Sequence, residues 1–249
     1  MTAFLRSSIF ALYQAVITPL FALLALFLIP FPAAARYRFI TIWSRLMLAG
    51  AETILGIRYR VLGAENVPAP PFIVLSKHQS AWETLAFQVI FPRQVWVVKR
   101  ELLWIPFFGW GLALLAPISI DRASGARALN QLLEQGRERL ARRYCIVIFP
   151  EGTRIAPGRR GKYQVGGAWL AVKTATPVVP VAHNAGELWG RRAFVKRPGL
   201  VTVSIGAPID PRSLAPDALI RKVEDWIEGE MQRIGSQGKP ASDVNGESH

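Results

Sequence analysis

Between Ser7 and Ala35 the chain carries no charged residue. As a helix, Ser8 to Ile29 would be about 33 Å long, enough to cross the hydrocarbon core of a bilayer. The run is longer than the apolar region of an ordinary signal peptide, and only Arg6 precedes it as a basic flank, although "FPAAAR" has the small residues of a cleavage site. A retained membrane anchor is therefore expected. Pro19 interrupts the run, so a kinked or re-entrant segment in one leaflet and a full span both remain open. The following "RYRFITIWSRLMLAGAETILGIRYR" is apolar but includes Arg45 and Glu52. It reads as an amphipathic helix lying in the interface, with Arg36, Arg38 and Arg45 near the headgroups. Basic residues collect after the first segment, which places the rest of the chain on the cytoplasmic side.

Charge sharpens the choice of partners. The 249 residues are 51% hydrophobic and 19% charged, with a formal net charge of +13 and a pI near 10.7. Such a chain is drawn to anions: an acidic membrane surface, phosphorylated substrates or nucleic acid. Nucleic acid is disfavoured, because no recognised motif is present and apolar runs interrupt the basic residues. The single cysteine, Cys145, excludes an intramolecular disulfide, and its setting in "YCIVIF" reads as a buried structural thiol. Three histidines and one cysteine cannot supply the usual zinc sets. No metal and no cofactor are expected.

From about residue 58, short apolar runs alternate with helical patterns. "FIVL" (72–75), "VWVV" (95–98), "ISI" (118–120), "CIVIF" (145–149), "VVPVA" (178–182) and "VTVSI" (201–205) read as buried strands. Leu129, Leu132, Leu133 and Leu140 form one helix face, and Leu219, Val223, Trp226, Ile227 and Ile234 another. The alternation predicts an α/β domain with a mostly parallel central sheet flanked by helices, behind an N-terminal hydrophobic, membrane-associated helical segment. The expected divisions are 1–57 for the anchoring and interfacial helices, 58–235 for the α/β domain, and 236–249 for a polar, disordered tail.

Ligands of such sheets bind beyond the carboxyl ends of the strands. "KHQSAWET" (77–84) follows the first of these runs and "PEGTR" (150–154) follows "CIVIF". If the two strands are parallel, His78 and Glu83 share a rim with Glu151 and Arg154. Ser80-Ala81-Trp82-Glu83 also has the form of a capping box, so the eight residues alone allow either a helix start or a catalytic pair.

"HQSAWE" (78–83), "KRELLWIPFFGWGLALLAPISIDR" (99–122), "FPEGTR" (149–154) and "VVPVAHN" (178–184) stand in the order of the four blocks of the glycerolipid acyltransferases, which the chain resembles from about residue 60 to 190. "FPEGTR" is the most specific of them. The resemblance implies transfer of a fatty acyl group from an acyl thioester, either acyl-CoA or acyl-carrier protein, to the free hydroxyl of a lysophospholipid. It implies His78 as general base and Glu83 as its carboxylate partner, where the family pattern has aspartate. Arg122 and Arg154 would bind the acceptor phosphate, Gly152 and Thr153 would bring backbone amides near it, and Glu151 would hold a glycerol hydroxyl. Lys162 reads as an exposed charge and His183 as a hydrogen-bonded structural histidine. The remaining basic clusters, "RERLARR" and "GRRAFVKR", suit anionic headgroups or an acidic acyl donor. The acceptor expected is 1-acyl-glycerol-3-phosphate. The rivals are another acceptor within the superfamily, such as glycerol 3-phosphate or a lyso-aminolipid, and a non-catalytic basic membrane-surface or nucleic-acid-binding protein.

Overall fold

The structure, a computed structural model, describes residues 2–121 and 124–237. The uncharged run forms α1 (Ala3–Leu26), continuous through Pro19. A turn at 27–32 reverses the chain into α2 (Ala33–Gly50), which ends in a π-helical turn (Ala51–Leu55). Gly56 then stops the helix at φ +75°, a conformation that costs glycine nothing and a side chain about 1–2 kcal/mol. The interfacial helix expected to run to residue 60 therefore ends earlier. Ile57–Leu62 is instead a strand, β1.

The six runs read as strands all appear: β2 (Ile73–Ser76), β3 (Gln94–Lys99), β4 (Ile118–Ile120), β5 (Cys145–Ile148), β6 (Val178–His183) and β7 (Gly199–Ile205). With β1 they make one seven-stranded sheet in the order β1-β7-β6-β2-β5-β3-β4. The five strands from β6 to β4 are mutually parallel, whereas β7 pairs with β6 antiparallel and β1 runs parallel to β7. A mostly parallel sheet needs cover on both faces. Alternation along β2 shows how that is met. Phe72 and Val74 join Phe10, Met47, Trp82 and Phe87 on the face of α1, α2 and α3 (Trp82–Ile90). Ile73 and Leu75 join Leu132, Leu170 and Leu219 on the face of α5 (Ala126–Ala141), α6 (Gly166–Thr174) and α8 (Pro216–Gln237). Two short helices, α4 (Phe108–Leu114) and α7 (Ala185–Leu188), complete the chain.

The N-terminal helices are docked on this domain rather than hung from it. Ser7 Oγ accepts the Lys196 amide at 2.9 Å, and Phe10 meets Trp189 edge-on at 5.3 Å. The opposite side of α1 exposes Phe4, Leu12, Val16, Leu20 and Leu23, and the turn after it exposes Phe27, Ile29 and Phe31. α8 continues to Gln237, two residues into the expected tail, and residues 238–249 lie outside the described part.

Candidate active site

β2 and β5 are adjacent and parallel, with Leu75 opposite Ile148. The loops that follow them therefore leave the same rim, as the order of motifs required. His78 leads into α3, and Glu83 lies in the first turn of that helix, wholly buried. The His78 Nδ1 to Glu83 Oε1 distance is 2.8 Å. The same oxygen accepts the backbone amides of Gln79 at 3.0 Å and Ser80 at 2.9 Å. Capping and pairing with the histidine thus coexist on a single oxygen, and Oε2 has no hydrogen-bond partner among the described residues. The serine's half of the box is shifted, because Ser80 Oγ accepts from Trp82 N at 3.1 Å.

Burial pushes the Glu83 pKa upward, but the imidazoles of His183 and His78 and the Ser80 amide outweigh it and hold the carboxyl below the ordinary range. An ionised Oε1 can only accept, so Nδ1 of His78 carries the hydrogen of this bond, and in the neutral ring the lone pair is on Nε2. One face of the ring stacks on Phe149 at 3.9 Å and 11°. His183, expected to be structural, is so: Nδ1 accepts from Ala185 N at 3.3 Å, leaving Nε2–H to donate to the Lys77 carbonyl at 2.9 Å. Burial lowers its pKa. Cys145 is also buried, and burial raises its thiol pKa.

Glu151 does not face the substrate space. Its carboxylate is buried, with Oε1 on Lys77 Nζ at 2.7 Å and Oε2 accepting the His78 amide at 2.9 Å. Both oxygens hold the histidine loop, and the carboxylate does not border the cavity in which the glycerol hydroxyl expected on it would lie. Lys77 in turn reaches Glu228 of α8 at 2.7 Å, and Tyr163 donates to the same Glu228 oxygen at 2.9 Å. Gly152 takes φ +67° and donates its amide to the Phe149 carbonyl at 3.0 Å, so that amide closes the turn instead of facing an anion. Lys162 is exposed and away from the cavity, and Arg122 lies outside the described residues.

A cavity of about 650 Å³ begins at His78 and Phe149. One end is polar, bordered by Gly152, Thr153, Arg154, Arg191 and Arg192. The other runs between α1, α2, α3 and the sheet, walled by Phe21, Phe39, Trp43, Leu85 and Trp96. Arg191 Nη1 donates to the Arg154 carbonyl at 3.1 Å, and among the described residues none of these three guanidinium groups has an ion-pair partner. The sequence showed Arg191 and Arg192 only as part of a diffuse basic cluster. Nothing in it pointed to Lys77 with Glu228, 151 positions apart.

The arrangement can therefore draw a proton from a hydroxyl whose molecule has an anionic head and an apolar tail. The family model described as Acyltransferase matches residues 58–184. The chain belongs to the acyltransferase family. Its similarity extends beyond that segment. A 1-acyl-sn-glycerol-3-phosphate acyltransferase of Pseudomonas aeruginosa is 42% identical over 235 residues, covering 92% of this chain and 91% of that protein. The human 1-acyl-sn-glycerol-3-phosphate acyltransferase alpha is 30% identical over 205 residues, covering 80% of this chain and 72% of that one. The crystal structure of the 1-acyl-sn-glycerophosphate acyltransferase from Thermotoga maritima superposes with a TM-score of 0.76 at 25% identity, over 96% of this chain and 97% of the other. The likeness to the Thermotoga structure covers both the α/β architecture and the apolar helices before it.

Proposed function

We propose that this acyltransferase moves a fatty acyl group from an acyl thioester to the free hydroxyl of 1-acyl-glycerol-3-phosphate, giving phosphatidic acid. The observation that carries it is the His78–Glu83 pair, whose free Nε2 opens onto a cavity cationic at one end and apolar at the other. In the proposed step the His78 Nε2 takes the hydroxyl proton as the oxygen attacks the thioester carbonyl carbon. The carbon–sulfur bond then breaks, and the imidazolium returns the proton to the departing thiolate. Glu83 stabilises the transient imidazolium and fixes the tautomer. The nucleophile belongs to the substrate, so the inert, buried Cys145 is not needed.

Arg154 suits the acceptor phosphate through its fork of donors, Thr153 borders the same space, and Arg191 and Arg192 add charge there. Arg122 is proposed for the same phosphate from its motif alone. Glu151 and Gly152 act as positioning residues, one holding the histidine loop and the other making the turn that presents Arg154. The docked, outwardly apolar α1–α2 pair supports insertion into one leaflet with the sheet domain on the cytoplasmic side, since α1 is held along the domain at both ends by Ser7, Phe10, Ala22 and Ala25. The test is a purified assay offering 1-acyl-glycerol-3-phosphate, glycerol 3-phosphate and a lyso-aminolipid, each with acyl-CoA and with acyl-carrier protein. Preferred acylation of 1-acyl-glycerol-3-phosphate is the expected result. Preference for either other acceptor would overturn the proposed substrate, and the donor arms identify the thioester.

A further inference from the structure

The segment between β3 and β4 is apolar both toward the cavity and toward the outside. Leu102, Phe107, Leu112 and Leu115 border the cavity, with Leu102 and Phe107 also 37% exposed and Phe107 touching Trp110 at 5.1 Å. Trp104, Ile105 and Trp110 face outward, with Trp104 78% exposed and the other two about 40%. A tryptophan left that open to water is unusual, and several large apolar groups so placed on one short stretch mark a surface built for contact. α4, in this segment, packs against both α1 and α2, so the outward face adjoins the apolar side of the N-terminal helices. Lys99 and Arg100, both exposed, stand at its start. Aromatic rings beside basic residues are the pattern of a membrane–water boundary.

We propose that residues 100–115 form a membrane-embedded doorway. Trp104, Ile105 and Trp110 insert among the lipids of an anionic leaflet while Leu102, Phe107, Leu112 and Leu115 of the same segment border the cavity that begins at His78. A lipid's acyl chain then passes from bilayer to cavity along one continuous apolar surface, without its methylenes crossing water. The costly step for a water-insoluble acceptor is exposing that chain to water on leaving the bilayer, and a doorway of this kind removes it. The proposal rests on the membrane association argued above.

The test uses the full chain with vesicles of phosphatidylethanolamine and phosphatidylglycerol, with and without brominated acyl chains. Quenching of tryptophan fluorescence is compared between the wild type, with its eight tryptophans, and Trp104→Phe; the difference reports Trp104. Because Trp104 is outside the core and does not border the cavity, Trp104→Ser is a second variant that leaves both intact. Bromine-dependent quenching should diminish in Trp104→Phe. In Trp104→Ser, vesicle partition should fall roughly tenfold, the lower end for one large apolar side chain. The KM for acceptor presented in vesicles should rise with it, while the KM for a monomeric short-chain acceptor stays unchanged. Quenching identical in wild type and Trp104→Phe, or KM shifts equal for the two presentations, would overturn the doorway. So would a change in oligomeric state on substitution, which would assign the patch to a second copy. A wild type that fails to bind vesicles would instead overturn the membrane reading on which the doorway depends.

Discussion

Replacing Glu83 by glutamine keeps the length of the side chain and removes its charge. The structure dictates how the amide must sit. Two backbone N–H groups, those of Gln79 and Ser80, point at Oε1, so the carbonyl oxygen of the glutamine is forced into that place and still accepts from His78 Nδ1. The NH2 then occupies the buried position of Oε2, where no partner exists among the described residues. An unsatisfied buried donor costs about 1–3 kcal/mol. For a chain of this size each kcal/mol lowers Tm by roughly 2–4 °C. Glu83→Gln should therefore fold and melt lower by roughly 2–12 °C, a larger change than a capping box alone would suffer on this substitution. The tautomer of His78 is preserved, so the catalytic loss isolates the charge beside the developing imidazolium, about 10²-fold or more in rate. Glu83→Asp keeps the charge one methylene further from Nδ1 and should recover part of the activity. The assay is acyl transfer to 1-acyl-glycerol-3-phosphate by the three purified proteins, with melting curves run alongside. A Glu83→Gln protein with the wild-type rate would refute the electrostatic role and leave Glu83 as a helix cap.

Arg154→Ala should raise the acceptor KM and depress kcat, because phosphate binding also aligns the hydroxyl; Arg154→Lys should restore only part, and full restoration would contradict a two-pronged contact. Lys77→Met leaves the buried Glu151 carboxylate without its cation, a loss of about 3–5 kcal/mol by chemical denaturation, and wild-type stability would show the network to be dispensable. Acid should destabilise the fold below about pH 6.5, where unfolded histidine protonates and buried His183 does not. The sign follows from its lowered folded pKa: stability is complete above the unfolded value and declines as pH falls toward the folded one, by up to about 1.4 kcal/mol per pH unit for one proton. The depressed Glu83 pKa adds a loss in the same direction at lower pH. A pH titration of stability in which His183→Gln keeps the full wild-type slope between pH 6.5 and 5 would exclude His183 as its source.

Six of the seven strands and the shared rim were legible because fully buried strands are written as short apolar runs, and parallel order then sets which loops meet. β1 was not legible. Arg58 and Arg60 alternate with Tyr59 and Val61 in the period of a strand, but the run follows an apolar, basic helical stretch without a break in composition, and the left-handed Gly56 is what separates the two elements. His78 and Glu83 were found as a pair because chain-local spacing brings them together. Sharing of one carboxylate oxygen among three donors was not, since it depends on the path of the Gln79–Ser80 backbone. Glu151 was assigned outward because a motif names residue types and not directions. Its inward turn is set by Lys77 and, through Lys77, by Glu228 on the last helix. Arg191 and Arg192 reach the cavity mouth through the loop before β7, a long-range placement with no periodic signature.

The most direct test of His78 as the base is the acyl-transfer rate of purified His78→Ala with 1-acyl-glycerol-3-phosphate as acceptor, measured on protein shown to retain vesicle binding. The ring is 14% exposed and its stacking on Phe149 is the main packing lost, so the fold should survive. A rate reduced about 10²–10⁴-fold, the range for loss of a general base, is predicted. Turnover near the wild-type rate would contradict it.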